Sequence, residues 1–174
     1  FLGPGTGLGA AISIEDQVVI PTEIGNTNNS IKSFNSHFNF TIDDELTLEN
    51  IISGTGISYL YKQKTGTEIP AEDIFNKFLA KDNDAEEIIN GFIKCLAQTL
   101  SDLSLIFIPG NGILLAGSLM RSLYPHMISD EFKNNFLGTK KGIHKDILEM
   151  VSIGVITKEK TPLYGNLGFY KKLI

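Results

Sequence analysis

The sequence has few of the features that mark secreted, membrane-bound or nucleic-acid-binding proteins. Its single cysteine, Cys95, cannot form a disulfide within the chain, which suits a reducing cytoplasm. Lysine and arginine number 15 against 20 aspartates and glutamates, and the net charge of -5 argues against binding to nucleic acids or anionic membranes. No stretch approaches the run of about 18 consecutive apolar residues that a membrane span needs.

Histidines are also scarce, and none has the sequence context of a metal ligand. His37, His126 and His144 lack metal-ligand spacing to another histidine, a cysteine or an acidic residue. Packing, a helix dipole or simple surface exposure explains each of them. The sequence therefore predicts no metal held by protein side chains.

The chain does contain enough apolar sequence for one sizeable domain. Of its 174 residues, 42% are hydrophobic and 20% charged, values that are ordinary for a globular protein. The patterning predicts a mixed α/β fold, with a hairpin first, then helices, and then alternating strands and helices. Predicted helices begin at Thr47, Ser53 and Pro70, the last of them with Leu79 on its apolar stripe. The longest predicted helix runs from Asp84 to about Leu103, and Cys95 is expected to pack near its buried face. Further helices are predicted over Leu119–Met127, Asp130–Leu137 and a terminal segment from Thr161, and the later strands are Ile113–Ala116 and Val151–Ile156.

Glycines at alternate positions open the chain, at Gly3, Gly5, Gly7 and Gly9. A loop without Cβ atoms lets peptide N–H groups approach an anion closely, and the hydroxyl of Thr6 adds a further donor. The spacing predicts a cradle for phosphate. It fits equally well a glycine-rich turn that binds no ligand, and the spacing alone does not separate the two interpretations.

The residues after the glycines separate this loop from two well-known nucleotide-binding loops. A dinucleotide-binding loop has the spacing G-x-G-x-x-G and opens a helix, and a Walker-type loop ends in Gly-Lys-Ser or Gly-Lys-Thr. Here the alternating β-branched residues predict a hairpin, Ala10–Glu15 with Gln17–Glu23. Phe1 and Leu2 have the character of a strand whose start is missing, so we expect a fragment or a domain of a longer chain.

Four stretches in a fixed order carry a family resemblance: Gly3–Gly9, Pro21–Asn26, Leu48–Gly56 and Gly110–Ser118. Together they resemble the bacterial-type glucokinases, which are members of the sugar kinase, Hsp70 and actin superfamily. The resemblance covers nearly the whole chain. It implies a ribonuclease H-like or actin-like ATPase lobe, with a mixed sheet, a β-hairpin start and flanking helices. On this basis residues 1–174 are expected to be the C-terminal, large lobe of a two-lobe sugar kinase, with the N-terminal lobe outside this chain.

The resemblance also implies roles for particular residues. Glu23, Asn26 and Glu49 are expected to bind sugar hydroxyls, since a carboxylate can accept hydrogen bonds from two hydroxyls at once. ATP is expected to contact two motifs, the glycine loop at its phosphates and an adenosine motif, Gly112–Gly117, at the bottom of the nucleotide cleft. The implied residues are Gly3, Gly5, Thr6, Gly7, Gly9, Gly112, Gly117 and Ser118.

The sequence departs from the family pattern in three places. The family has Glu-Gly-Gly-His where this chain has Glu23-Ile24-Gly25-Asn26, so an amide replaces an imidazole that can titrate. The adenosine motif ends in Gly117-Ser118 instead of Gly-Gly, which is tolerable if Ser118 caps the following helix. The first phosphate loop, Asp-Gly-Gly-Thr-Asn, and the catalytic aspartate of the family have no counterpart here.

The function implied by the resemblance is transfer of the γ-phosphoryl group of ATP to the 6-hydroxyl of glucose or a related hexose, in glycolysis. Mg²⁺ would accompany ATP, and a cytoplasmic homodimer is expected. Because no catalytic residue is identified, the fragment alone is expected to be inactive. Two alternatives stay open: a non-catalytic sugar-binding or regulatory module of the same fold, and an interaction domain in which the glycine loop is only a turn.

Overall fold

A five-stranded mixed sheet forms the centre of the fold in the computed structural model, which describes residues 1–15, 17–28 and 30–160 together with Leu163, Gly165 and Gly168. The strands lie in the order β3-β2-β1-β4-β5. The first three are antiparallel, whereas β1, β4 and β5 are parallel. Their bounds are Leu2–Pro4 for β1, Leu8–Ile14 for β2, Val18–Thr22 for β3, Ile113–Leu115 for β4 and Ile153–Val155 for β5. The predicted α/β class and the mixed sheet with a hairpin at its start are confirmed.

The glycine-rich opening is itself a hairpin. Gly3 pairs with Gly9 in the ladder between β1 and β2, so the turn between these strands is the segment Gly5–Gly7. The second hairpin joins β2 to β3, where the Gln17 N–H donates to the Ile14 carbonyl at 3.0 Å. Leu2 lies in a strand, as its position before the glycines predicts. The hairpin is confirmed, although β2 starts two residues earlier than predicted.

Eight helices of four or more residues occur in the described part of the chain, and the side chains before several of them explain where they begin. Thr47 and Asn50 form a capping box, Ser53 accepts from the Gly56 N–H at 2.9 Å, and Asp82 accepts from the Ala85 N–H at 3.0 Å. The helices are Ile31–Phe34 (α1), Leu48–Ile51 (α2), Gly54–Thr65 (α3), Ala71–Leu79 (α4), Asn83–Phe107 (α5), Ser118–Met127 (α6), Asp130–Leu137 (α7) and Ile143–Met150 (α8).

Helix α5 supplies the largest buried face. Its 25 residues carry apolar side chains at intervals of three and four, and Ile88, Phe92, Leu96 and Leu100 are all fully buried. Helices α3, α4 and α7 pack against it. Cys95 lies in the same core, where burial raises the pKa of its thiol well above the usual value. The thiol is therefore protonated and serves packing, as predicted.

Four details differ from the sequence-based expectations. Helix α5 runs to Phe107 and not to about Leu103, although Ile106 and Phe107 in its last turn are exposed. Leu79, expected on the apolar stripe of α4, is 55% exposed at the end of that helix. Helices α1 and α8 were not predicted. Gly117, and not Ser118, is the N-cap of α6, with no side-chain cap hydrogen bond.

The last predicted helix falls mostly outside the described residues. Thr161, Pro162 and the apolar positions Tyr164, Leu167, Phe169 and Tyr170 are not described, so the prediction of a packed terminal helix is not tested. Within the described part of the chain, no helix combines the length and the apolar composition that crossing a membrane requires.

Candidate functional site

The turn Gly5–Gly7 presents two backbone N–H groups that have no hydrogen-bond partner in the described part of the chain. The Gly5 N–H donates to the Gly7 carbonyl at 2.8 Å. The Leu8 N–H donates to Glu49 Oε2 at 2.9 Å. The N–H groups of Thr6 and Gly7 donate to no acceptor among the described residues, and Thr6 is exposed. Because an unpaired N–H is a strong donor, the turn has two donors available to a ligand.

The start of α3 fixes the direction in which these two N–H groups point. The Gly54 N–H donates to the Gly5 carbonyl at 2.7 Å, and Thr55 Oγ1 donates to the Thr6 carbonyl at 2.7 Å. No cis peptide occurs in the described chain, and in a trans peptide the N–H points opposite to the carbonyl. The N–H groups of Thr6 and Gly7 therefore both point away from α3, where a single anion could accept from both of them.

Glu49 brings a carboxylate to the same turn. It is the second residue of α2, between the buried side chains of Leu48 and Ile51, and is itself half-buried. Its Oε2 accepts the Leu8 N–H, whereas Oε1 has no donor among the residues described. One carboxylate oxygen thus holds the end of the turn and the other is available to a hydroxyl.

Glu23 and Asn26 lie at the two ends of a 3-10 turn, Ile24–Asn26, beside Glu49. Asn26 Nδ2 donates to Glu23 Oε2 at 3.1 Å, and both side chains are exposed. The buried Gly25 between them packs closely against Leu8 and Glu49. A Cβ on Gly25 would lie 2.8 Å from the Leu8 carbonyl oxygen and 3.5 Å from the Cβ of Glu49. Asn26, the position at which the family pattern has histidine, orients the Glu23 carboxylate by a hydrogen bond.

The predicted adenosine motif divides between the two ends of β4. At the end near the glycine turn, the Ala116 N–H donates to the Leu2 carbonyl at 2.8 Å, and a Cβ on Gly117 would lie 3.4 Å from the Pro4 carbonyl. Ser118 follows there as the exposed first residue of α6. Gly112 lies at the opposite end, against Ser152 before β5.

The structure therefore brings together most of the predicted site residues but not all of them. Glu49 lies against Gly7, the residue after Thr6 in the turn, with Glu23 and Asn26 alongside and Gly117 near the end of β1. Gly3 and Gly9 lie within the strand ladder, and Gly112 lies away from the turn. Sequence reasoning gave no role to Gly54 and Thr55, although both lie in the motif Ser53–Gly56.

An alanine at Gly7 is expected to impair the site while leaving the fold intact. The new Cβ would overlap Glu49 Oε2, and the flexible carboxylate can swing away at the cost of its bond to the Leu8 N–H. Loss of one charge-assisted hydrogen bond costs about 1.5–3 kcal/mol. For the hexose that the family resemblance implies as the ligand of Glu49, we therefore expect affinity to weaken about ten-fold or more by NMR titration. Gly5→Ala is the matched control, because a Cβ at Gly5 meets nothing within 4 Å. Equal affinities for the two variants would contradict this geometry.

Solved structures identify the class of protein that has this fold. The glucokinase from an Antarctic psychrotroph superposes with a TM-score of 0.75 at 22% sequence identity, over 94% of this chain and 55% of that chain. The fold described above is therefore shared with about half of a sugar-kinase chain.

Sequence comparisons identify the family. The family model described as Glucokinase matches residues 1–172. A glucokinase of Mesorhizobium japonicum is 28% identical over 94% of this chain and 52% of its own length. A glucokinase of Agrobacterium fabrum is 30% identical over the same shares. This chain belongs to the glucokinase family, and it spans about half the length of the curated relatives it matches.

Proposed function

We propose that residues 1–174 form the C-terminal, large lobe of an ATP-dependent hexokinase of glucokinase type, with an actin-like ATPase fold. One observation carries the proposal: the paired free N–H groups of Thr6 and Gly7 lie beside a carboxylate, Glu49, that is bonded to the same turn. The N–H pair suits phosphate oxygens, and the free carboxylate oxygen suits a sugar hydroxyl. The anion site and the hydroxyl site thus adjoin each other.

This adjacency suits phosphoryl transfer, which depends on positioning and electrostatic stabilisation more than on covalent chemistry by the protein. In the proposed arrangement the turn binds the terminal phosphates of ATP through Thr6 and Gly7. Glu49, with Glu23 and Asn26 beside it, orients the hexose so that its 6-hydroxyl faces the γ-phosphate. A site that bonds hydroxyls strongly rejects sugars that lack them.

The described residues do not fit a metal ion held by protein side chains. Among them, no group of three histidine, cysteine, aspartate or glutamate side chains is close enough to form a metal site. The Mg²⁺ that kinases generally use would therefore enter with the phosphates of ATP, and we assign no side chain of this chain to it.

We propose that a second lobe supplies the group that takes the proton of the 6-hydroxyl. The carboxylates of Glu23 and Glu49 are assigned to orienting the sugar, and the catalytic aspartate of the family pattern has no counterpart in this sequence. Phosphorylation by the 174-residue chain alone is therefore not expected. Glycolysis, the homodimer and the cytoplasmic location remain predictions from the sequence.

Calorimetric titration of the 174-residue chain with ADP and, separately, with glucose tests the proposal. We expect saturable heat with both ligands and no glucose 6-phosphate when ATP and Mg²⁺ are added. Binding of glucose without ADP would instead favour a non-catalytic sugar-binding module. Absence of heat with either ligand at millimolar concentration would contradict the proposal and favour a purely structural turn.

A further inference from the structure

Two hydroxyl groups connect the backbone of Glu49 to the glycine turn. Ser53 Oγ lies 2.7 Å from the Glu49 carbonyl oxygen and 2.9 Å from Thr55 Oγ1. Thr55 Oγ1 lies 2.7 Å from the Thr6 carbonyl oxygen. We name these two residues, Ser53 and Thr55, the hydroxyl bridge. It joins α2, α3 and the turn by side-chain contacts between residues as much as 49 positions apart.

Counting the hydroxyl protons shows which of these three contacts is a full hydrogen bond. Each hydroxyl carries a single proton, so the bridge has two protons for three oxygen–oxygen contacts. The Thr6 carbonyl has no other donor among the described residues and can only accept, so the Thr55 proton belongs there. The Ser53 proton is then shared between the Glu49 carbonyl and Thr55 Oγ1, while its oxygen accepts the Gly56 N–H at 2.9 Å.

The two peptide groups that carry the free N–H groups of the turn are fixed by hydrogen bonds from different donors to their carbonyl oxygens. The peptide that carries the Thr6 N–H is fixed through the Gly5 carbonyl by the backbone N–H of Gly54, which no side-chain substitution removes. The peptide that carries the Gly7 N–H is fixed through the Thr6 carbonyl by the hydroxyl of Thr55. Removing that hydroxyl therefore releases one of the two donors and leaves the other in place.

We propose that Thr55 is a positioning residue, which sets the orientation of the Gly7 N–H so that the turn presents two parallel donors to a phosphate. It acts through the Thr6 carbonyl and need not touch the ligand itself. The proposal rests on the proposed function, in which the turn binds phosphate. It goes further in assigning half of that donor pair to the side chain of an exposed threonine.

The test compares Thr55→Val, which keeps the shape and loses the hydroxyl, with Thr55→Ser, which keeps the hydroxyl. Ser58→Ala is the control on the same helix, because the one hydrogen bond of Ser58 Oγ to the described residues goes to the Gly54 carbonyl of its own helix, at 3.4 Å. The full chain is titrated with inorganic phosphate and with ADP, and amide shifts are followed by ¹⁵N NMR. We expect Thr55→Val to bind about ten-fold more weakly and to lose the ligand-induced shift at Gly7 while keeping the shift at Thr6. Thr55→Ser and Ser58→Ala are expected to behave as the unmodified chain.

A ligand-free measurement separates this inference from the proposed function. Without ligand, the heteronuclear NOE of the Gly7 amide is expected to fall in Thr55→Val and to recover in Thr55→Ser, with the Thr6 value unchanged. If the unmodified chain binds phosphate and Thr55→Val matches it within two-fold, the role of Thr55 is refuted and the proposed function stands. If the unmodified chain binds neither probe, the proposed function fails, and the Gly7 amide alone decides whether Thr55 positions the turn.

Discussion

Gly112→Ala is expected to lower the free energy of unfolding by about 3 kcal/mol, from backbone strain and overpacking together. Gly112 has φ of +84°, a conformation that side chains with a Cβ rarely adopt. Its Cβ would also overlap the Oγ and carbonyl oxygen of Ser152 and lie 3.2 Å from the Ser152 carbonyl carbon. That carbonyl accepts the Ile113 N–H at 2.8 Å, so the clash falls where β4 joins β5.

Thermal unfolding measures this effect against a close control. For a domain of this size the Tm is expected to fall by roughly 6 to 12 °C. Gly110→Ala, two residues away, is expected to leave the Tm within about 2 °C, because its Cβ meets nothing within 4 Å and its φ is not positive. A Gly112→Ala variant as stable as Gly110→Ala would show that the fold does not require this glycine.

Glu49→Gln is expected to weaken hexose binding by about 10- to 100-fold. Glutamine keeps one acceptor oxygen, which the Leu8 N–H occupies, and turns an NH₂ group toward the place where Glu49 Oε1 would accept a hydroxyl. The change removes a charge-assisted hydrogen bond worth about 1.5–3 kcal/mol. NMR titration with glucose gives the two dissociation constants.

The control for this substitution is Glu45→Gln, which makes the same chemical change at an exposed glutamate in the loop before α2. It is expected to bind glucose as the unmodified chain does. ADP affinity is expected to change less than glucose affinity in Glu49→Gln, since the phosphate donors belong to the turn. Equal glucose affinity in both variants would contradict the proposal that Glu49 binds the sugar.

The parts of the fold that periodicity predicted are those with regular burial. The spacing of Ile88, Phe92, Leu96 and Leu100 identified α5 because every one of these side chains is buried. Helix α8 has a similar apolar spacing, at Ile143, Ile147 and Met150, but it lacks a start signal. It is only 8 residues long, and its N-cap is Gly142, with no side-chain cap hydrogen bond. A short helix without a capping side chain is hard to recognise from its sequence.

The site divides in a similar way between what local sequence encodes and what only the fold brings together. The glycines at Gly5 and Gly7 predicted a turn with exposed N–H groups, because that property is local. The family resemblance, and not any local pattern, singled out Glu49. The contact of Thr55 with the Thr6 carbonyl depends on the docking of α3 against the first hairpin. No spacing rule within the sequence predicts such a long-range contact.

The ¹⁵N NMR spectrum of the 174-residue chain during titration with ADP tests the central claim most directly, namely that the N–H groups of Thr6 and Gly7 bind phosphate. These two amides are expected to show the largest shifts, with Leu8 next, since its N–H is bonded to Glu49 beside them. Inorganic phosphate is expected to move the same amides in the same direction. Saturable ADP binding that leaves Thr6 and Gly7 unshifted would contradict the account.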